Sequence, residues 1–198
     1  MRNRIEHPKV FISYAWGSED YKIKVLSFAT DLMNDGIEVI LDQWSLKEGN
    51  DTYAFMEQSA TDPTITNVLI LLDPVYEKKA NGRDGGVGTE TQIISPEIYN
   101  KVKQEKFLPV IFERGIKGEI PKPQYLKTML HFDLTQEEKY DLEYRRLVKR
   151  LYGIEIVEKP ELGKKPSWLD ERSTIPTKTR SGYEGLKQQK SDSVKKDE

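Results

Sequence analysis

The 198-residue chain contains no cysteine, which excludes disulfide scaffolds, thiolate nucleophiles and Cys-based zinc sites. Its two histidines, His7 and His131, are far apart and have no partner at ligand spacing, so no metal site is expected. No window approaches the roughly 18 apolar residues that a membrane span needs. The N-terminal MRNRIEHPK has no apolar core of the kind a secretory signal carries. Charge also lacks a dominant sign: 31 Lys and Arg face 33 Asp and Glu, for a net charge of -2. That balance supplies no bulk drive toward nucleic acid or an anionic membrane, and neither is expected as a partner. Together these absences fit a soluble protein of a reducing compartment, the cytoplasm. There is no Gly-x-Ser-x-Gly elbow to support a serine hydrolase.

What is present is a polar chain, 36% hydrophobic and 32% charged, whose apolar residues must be concentrated in part of its length. The length suits one compact domain with tails. Val10-Phe11-Ile12 is a buried-strand pattern that breaks into Ser13-Tyr14-Ala15-Trp16-Gly17. Ser18 caps a following helix, with Val25, Phe28, Ala29 and Leu32 at helical spacing until Gly36. A second strand spans Ile37 to Leu41 and ends at Asp42-Gln43-Trp44, followed by a polar loop from Ser45 to Asp51 and a short helix from Thr52 to about Ser59. Asn67 to Leu72 is a continuous aliphatic run, as a central parallel strand requires, and Asp73-Pro74 ends it.

Beyond a glycine-rich loop, Asn81 to Gly88, a helix is expected from Thr89 to about Lys103, interrupted at Pro96. Phe107 to Phe112 forms another strand, and a weak strand is expected near Met129 to Phe132. Thr135 with Glu138 has the spacing of a capping box ahead of a helix carrying Tyr140, Tyr144, Leu147, Val148 and Leu151 on one face. About five short strands alternating with helices predict a flavodoxin-like α/β fold, a parallel sheet with helices on both faces. The domain is expected over 9–157, after an N-terminal extension over 1–8 and before a flexible, charged tail over 158–198. From Asp170 onward only Ile175, Tyr183, Leu186 and Val194 are aliphatic or aromatic, too little apolar surface to offset ordering entropy.

In such folds function gathers where the loops leave the C-terminal ends of the strands. Asp73 stands at the end of the third strand, where a phosphoacceptor would sit. The carboxylates that should join it in holding Mg²⁺ are replaced after the first strand by Ser13 and Tyr14. Gly82, Gly85, Gly86 and Gly88 match neither a P-loop nor a dinucleotide fingerprint. A loop using permissive backbone is the simpler account.

Lys9-Val10-Phe11-Ile12-Ser13-Tyr14 before an acidic helix start resembles the first box of Toll/interleukin-receptor (TIR) domains. Phe11 to Trp16 resembles the same box in their SEFIR relatives. The run from Asp35 through Asp42-Gln43-Trp44-Ser45-Leu46-Lys47-Glu48-Gly49-Asn50-Asp51 is similar to the SEFIR second strand and its loop, as is Phe55-Met56-Glu57-Gln58-Ser59. Tyr76 to Asn81 with Gly85 to Glu90 resembles the stretch before the third helix in bacterial SEFIR sequences. The similarity covers about residues 8 to 155.

The resemblance implies a TIR/SEFIR fold and two activities. The first is a signalling or defence interaction module that pairs with itself or with other SEFIR or TIR domains, as a weak homo-oligomer. Its contact residues would be Trp44, Leu46, Lys47, Glu48, Asn50 and Asp51 on the second-strand loop, with Lys78, Lys79 and Arg83 opposite. Trp44 has a competing reading as a packing residue at a strand end. The second activity is NAD hydrolysis, which needs no cofactor because NAD⁺ is the substrate. Glu90 would be the catalytic carboxylate by motif order, although Gly86-Val87-Gly88-Thr89 stands where those enzymes carry an aromatic context. One carboxylate beside the ribose suffices to stabilise an oxocarbenium-like state, since nicotinamide leaves as a neutral group. Ser13, Tyr14, Trp16, Asp42 and Trp44 would line the pocket. Glu90 equally suits the positive end of a helix dipole, a role that needs no substrate.

Overall fold

The computed structural model describes residues 5–82, 93–157 and 159–169. The chain divides into two units, Met1–Glu158 and Lys159–Glu198. In the second, the described residues include one 3-10 turn, Ser167–Leu169. The first unit is built on five parallel strands, β1 (Lys9–Tyr14), β2 (Glu38–Ile40), β3 (Asn67–Leu72), β4 (Phe107–Ile111) and β5 (Phe132–Asp133). They are ordered β2-β1-β3-β4-β5, the flavodoxin-like winding. All six β3 residues are buried, as the aliphatic run requires of a strand covered on both faces.

Alternation along the strands divides the core into two layers. Val10, Ile12 and Tyr14 of β1 and Leu69 and Leu71 of β3 pack with α1 (Glu19–Asn34) and α6 (Tyr140–Leu151). Phe11 and Ala15, with Val68, Ile70 and Leu72, pack with α3 (Thr52–Thr61), α4 (Pro74–Asn81) and α5 (Pro96–Lys101). Ser18 Oγ accepts the Tyr21 amide at 3.2 Å to cap α1, and Val25, Phe28, Ala29 and Leu32 are buried along it. Gly36 then turns the chain at φ +80°, where a Cβ would come within 2.9 Å of the Tyr152 hydroxyl. That hydroxyl donates to the Asp35 carbonyl at 2.7 Å, tying the end of α1 to the segment after α6.

Several local expectations need correcting. β2 stops at Ile40, and Asp42–Ser45 forms a helical turn, α2, where a strand end and loop were expected. Helix α4 fills the segment between the end of β3 and the expected glycine-rich loop, where no element was expected, because Asp73 is its N-cap and Pro74 enters its first turn, where a missing N–H costs nothing. Pro96 likewise opens α5 behind a Ser95 cap and interrupts no longer helix, since residues 93–95 are not helical. The weak strand lies at Phe132–Asp133, slightly beyond its expected position. The Thr135–Glu138 capping box does not form: Thr135 Oγ1 donates to Asp133 Oδ1 at 2.6 Å, and α6 starts only after a 3-10 turn at Glu137–Lys139.

Candidate functional site

At the C-terminal ends of β1 and β2, Asp42 brings two loops together. It is the first residue of α2 and only 4% exposed. Its Oδ2 accepts two hydrogen bonds, from the Tyr14 hydroxyl at 3.0 Å and from Trp16 Nε1 at 2.7 Å. Its Oδ1 is buried and has no hydrogen-bonding partner among the described residues. Burial pushes the Asp42 carboxyl above the ordinary carboxylate range, against the opposing pull of the Tyr14 and Trp16 donors and of the neighbouring backbone amides. Burial and then the Asp42 charge raise the Tyr14 hydroxyl far above a free tyrosine, so it stays a donor. Gln43 Nε2 adds bonds to Tyr14 Oη at 3.1 Å and to the Lys22 carbonyl at 3.3 Å, reaching α1.

These groups form one side of an open cleft of about 320 Å³, also lined by Lys22, Leu46, Lys47, Glu48, Asn50 and Thr52. Of the expected pocket residues, Tyr14, Trp16 and Asp42 converge there. Ser13 does not: it is fully buried, and its Oγ lies 3.2 Å from the Tyr76 hydroxyl on the α4 side of the sheet. A strand's period of two sends Ser13 and Tyr14 to opposite faces. Trp44 is not among the described lining residues and stands 42% exposed on the outside of α2.

The expected contact loop is a built turn. The Lys47 amide donates to Asn50 Oδ1 at 2.8 Å and the Asn50 amide returns to the Lys47 carbonyl at 3.0 Å, with Gly49 at φ +93° closing the turn. Asp51 Oδ1 caps α3 by accepting from the Tyr53 and Ala54 amides at 2.8 and 2.9 Å. The Asn50 and Asp51 side chains therefore shape the loop, while Lys47 and Glu48 extend to solvent and Leu46 is half-buried against the cleft. On α4, Lys78 is exposed, and Lys79 Nζ reaches the Trp16 carbonyl at 3.4 Å, next to the same cleft. Arg83 and Glu90 lie outside the described residues.

The sequence reasoning missed Gln43, Lys22 and Thr52 as cleft residues. Gln43 had a signal, its place beside Asp42, whereas Lys22 had none that separates it from a solvated lysine. Asp73, weighed as a phosphoacceptor, is 2% exposed, and its Oδ1 takes the Tyr76 amide at 2.5 Å as a helix cap.

Comparison with known proteins identifies the family and the fold. A family model described as SEFIR domain matches residues 8–141. A crystal structure of a prokaryotic SEFIR domain is 44% identical, with a TM-score of 0.66, over 79% of this chain and 99% of that one. The TIR domain of the Toll-related receptor TRR-2 from the lower metazoan Hydra magnipapillata shares the fold at 13% identity and a TM-score of 0.52, over 72% of this chain and 96% of that one. No curated protein matches the sequence. Among the described residues no helix is long and apolar enough to cross a membrane.

Proposed function

The chain belongs to the SEFIR domain family, and on that premise we propose that it is a signalling module that self-associates through the α2 turn and the loop after it. The observation behind this reading is the contrast within that segment. Asn50, Gly49 and Asp51 hold the loop in one shape, while Trp44 is left 42% exposed shortly before the exposed, charged Lys47 and Glu48 in the chain. A rigid loop presenting a large aromatic ring with mixed charge suits a contact whose core is apolar and whose rim is polar. The partner is a second copy or another SEFIR or TIR domain. Trp44→Ala and Leu46→Asp should each weaken self-association at least about tenfold in sedimentation equilibrium, the cost typical of an interface anchor. Unchanged association in both variants refutes this assignment.

A second reading, NAD cleavage, is supported by the cleft itself, where Tyr14, Trp16 and Asp42 offer aromatic and carboxylate groups beside an open volume. Its test is nicotinamide release from NAD⁺ across a wide range of protein concentration. Turnover that rises with concentration and vanishes in Glu90→Gln supports an assembly-activated hydrolase. A folded, associating but silent protein refutes it.

A further inference from the structure

The association surface proposed above begins two residues after Asp42, and the bonds around Asp42 fix where it points. Asp42 is buried and Trp44 is 42% exposed, and the exposed Gln43 between them bonds back to Tyr14 and the Lys22 carbonyl, so one short helical turn carries both an anchored side and an open aromatic ring. Four hydrogen bonds hold the anchored side: Tyr14 and Trp16 to Asp42 Oδ2, and Gln43 to Tyr14 Oη and the Lys22 carbonyl. They reach β1, the loop after it and α1, the elements against which α2 must be oriented. A four-residue turn has no stability of its own. A carboxylate that is 4% exposed is also a costly residue to keep. An apolar side chain would pack there without a desolvation penalty, but it would accept no directional bond from an indole or a phenol, and the turn could then rotate.

We infer that Asp42 is the positioning residue of the association surface: by accepting the Tyr14 hydroxyl and the Trp16 indole on one oxygen, it locks α2 and aims Trp44 and Leu46 without touching the partner. This inference rests on the reading that Trp44 and Leu46 form that surface. Trp16, Tyr14 and Asp42 form one unit across the first two sequence boxes, so loss of any donor should act at a distance on the contact.

The test uses the full chain and two readouts. Exchange of the Trp16 indole N–H, followed by ¹⁵N NMR and assigned with Trp16→Phe, reports the clamp directly. Sedimentation equilibrium reports association. Asp42→Ala should speed Trp16 indole exchange and weaken association about tenfold. Asp42→Asn keeps an acceptor oxygen and should restore most of both, whereas Asp42→Leu fills the space without an acceptor and should behave like Asp42→Ala, an outcome that a purely volumetric role does not give. Trp16→Phe keeps the ring and removes one donor, and should weaken association about threefold. It carries the test if Asp42→Ala does not fold. Wild-type association that is unmoved by Asp42→Ala or Trp16→Phe, in folded protein, overturns this inference alone. A wild-type chain that never associates overturns the reading beneath it, and this inference with it.

Discussion

Two buried carboxylates stand at the ends of the two strands that flank β1, and they do different work. Asp42 follows β2 and Asp73 follows β3. Each opens a helix, they are 4% and 2% exposed, and burial pushes both above the ordinary carboxylate range. Asp73 spends its Oδ1 on the backbone of its own helix, accepting the Tyr76 amide at 2.5 Å, and the Tyr21 hydroxyl lies beside it in the core. Asp42 spends its Oδ2 on side chains from another element, Tyr14 and Trp16, at the edge of an open cleft. Asp73 therefore stabilises a local element, whereas Asp42 sets the relation between two loops. Burial and a raised pKa alone would not have separated them; the identity of the donors does.

The sharpest way to break this pairing is to remove the cap. Asp73→Ala leaves the first turn of α4 without its side-chain acceptor and should cost about 2 kcal/mol of stability, the upper part of the range for an N-cap. A shift in the urea midpoint measures it. Asp73→Asn, a good capping residue, should recover most of the loss. In the folded fraction, association should match wild type, because no Asp73 bond reaches α2. A fall in association as large as that of Asp42→Ala would show that the two carboxylates are not functionally distinct.

Much of this architecture was legible in the sequence, and the misses share a cause. β1, β3 and β4 announce themselves because a strand buried on both faces must be a continuous apolar run. Helix α1 was equally clear, with a cap, an acidic first turn and four buried residues at helical spacing. Helix α4 was hidden because only Tyr76 and Ala80 of its eight residues are buried, too few to show a period, and Asp73-Pro74 reads as a strand terminator as easily as a cap. The four residues of α2 carry no period at all. At the site, the convergence of Tyr14, Trp16 and Asp42 followed from loops leaving adjacent strands. The misplacement of Ser13 did not need a structure to correct, since alternation along β1 already puts it opposite Tyr14. Which oxygen of Asp42 takes the donors, and that Gln43 reaches α1, are facts of side-chain geometry that no spacing encodes.

A smaller effect sharpens the comparison further, because Asp42 should leave a signature in the pH dependence of stability. Its pKa is raised in the folded chain, so over the interval between the unfolded and folded values the folded state binds the proton that the unfolded state has released. Stability tied to this group is then fully present below the unfolded pKa and is lost as pH rises through the folded one. The loss cannot exceed about 1.4 kcal/mol per pH unit for a single proton. Protonation would fall on Oδ1, the oxygen without a partner, leaving both donors on Oδ2 but weakening them from charge-assisted to neutral bonds. Asp42→Asn removes the titration while keeping an acceptor. Subtracting its stability curve from that of wild type cancels the other carboxylates, including Asp62 and Asp133, whose lowered values slope the opposite way. The wild-type minus Asp42→Asn difference should therefore become more favourable to wild type as pH falls from 7 toward 4, in urea unfolding at matched ionic strength. A flat difference would mean that the carboxylate is held charged in the fold as readily as in the unfolded chain. The two donors would then compensate its burial in full, and Asp42 would differ from Asp73 in cost as well as in role.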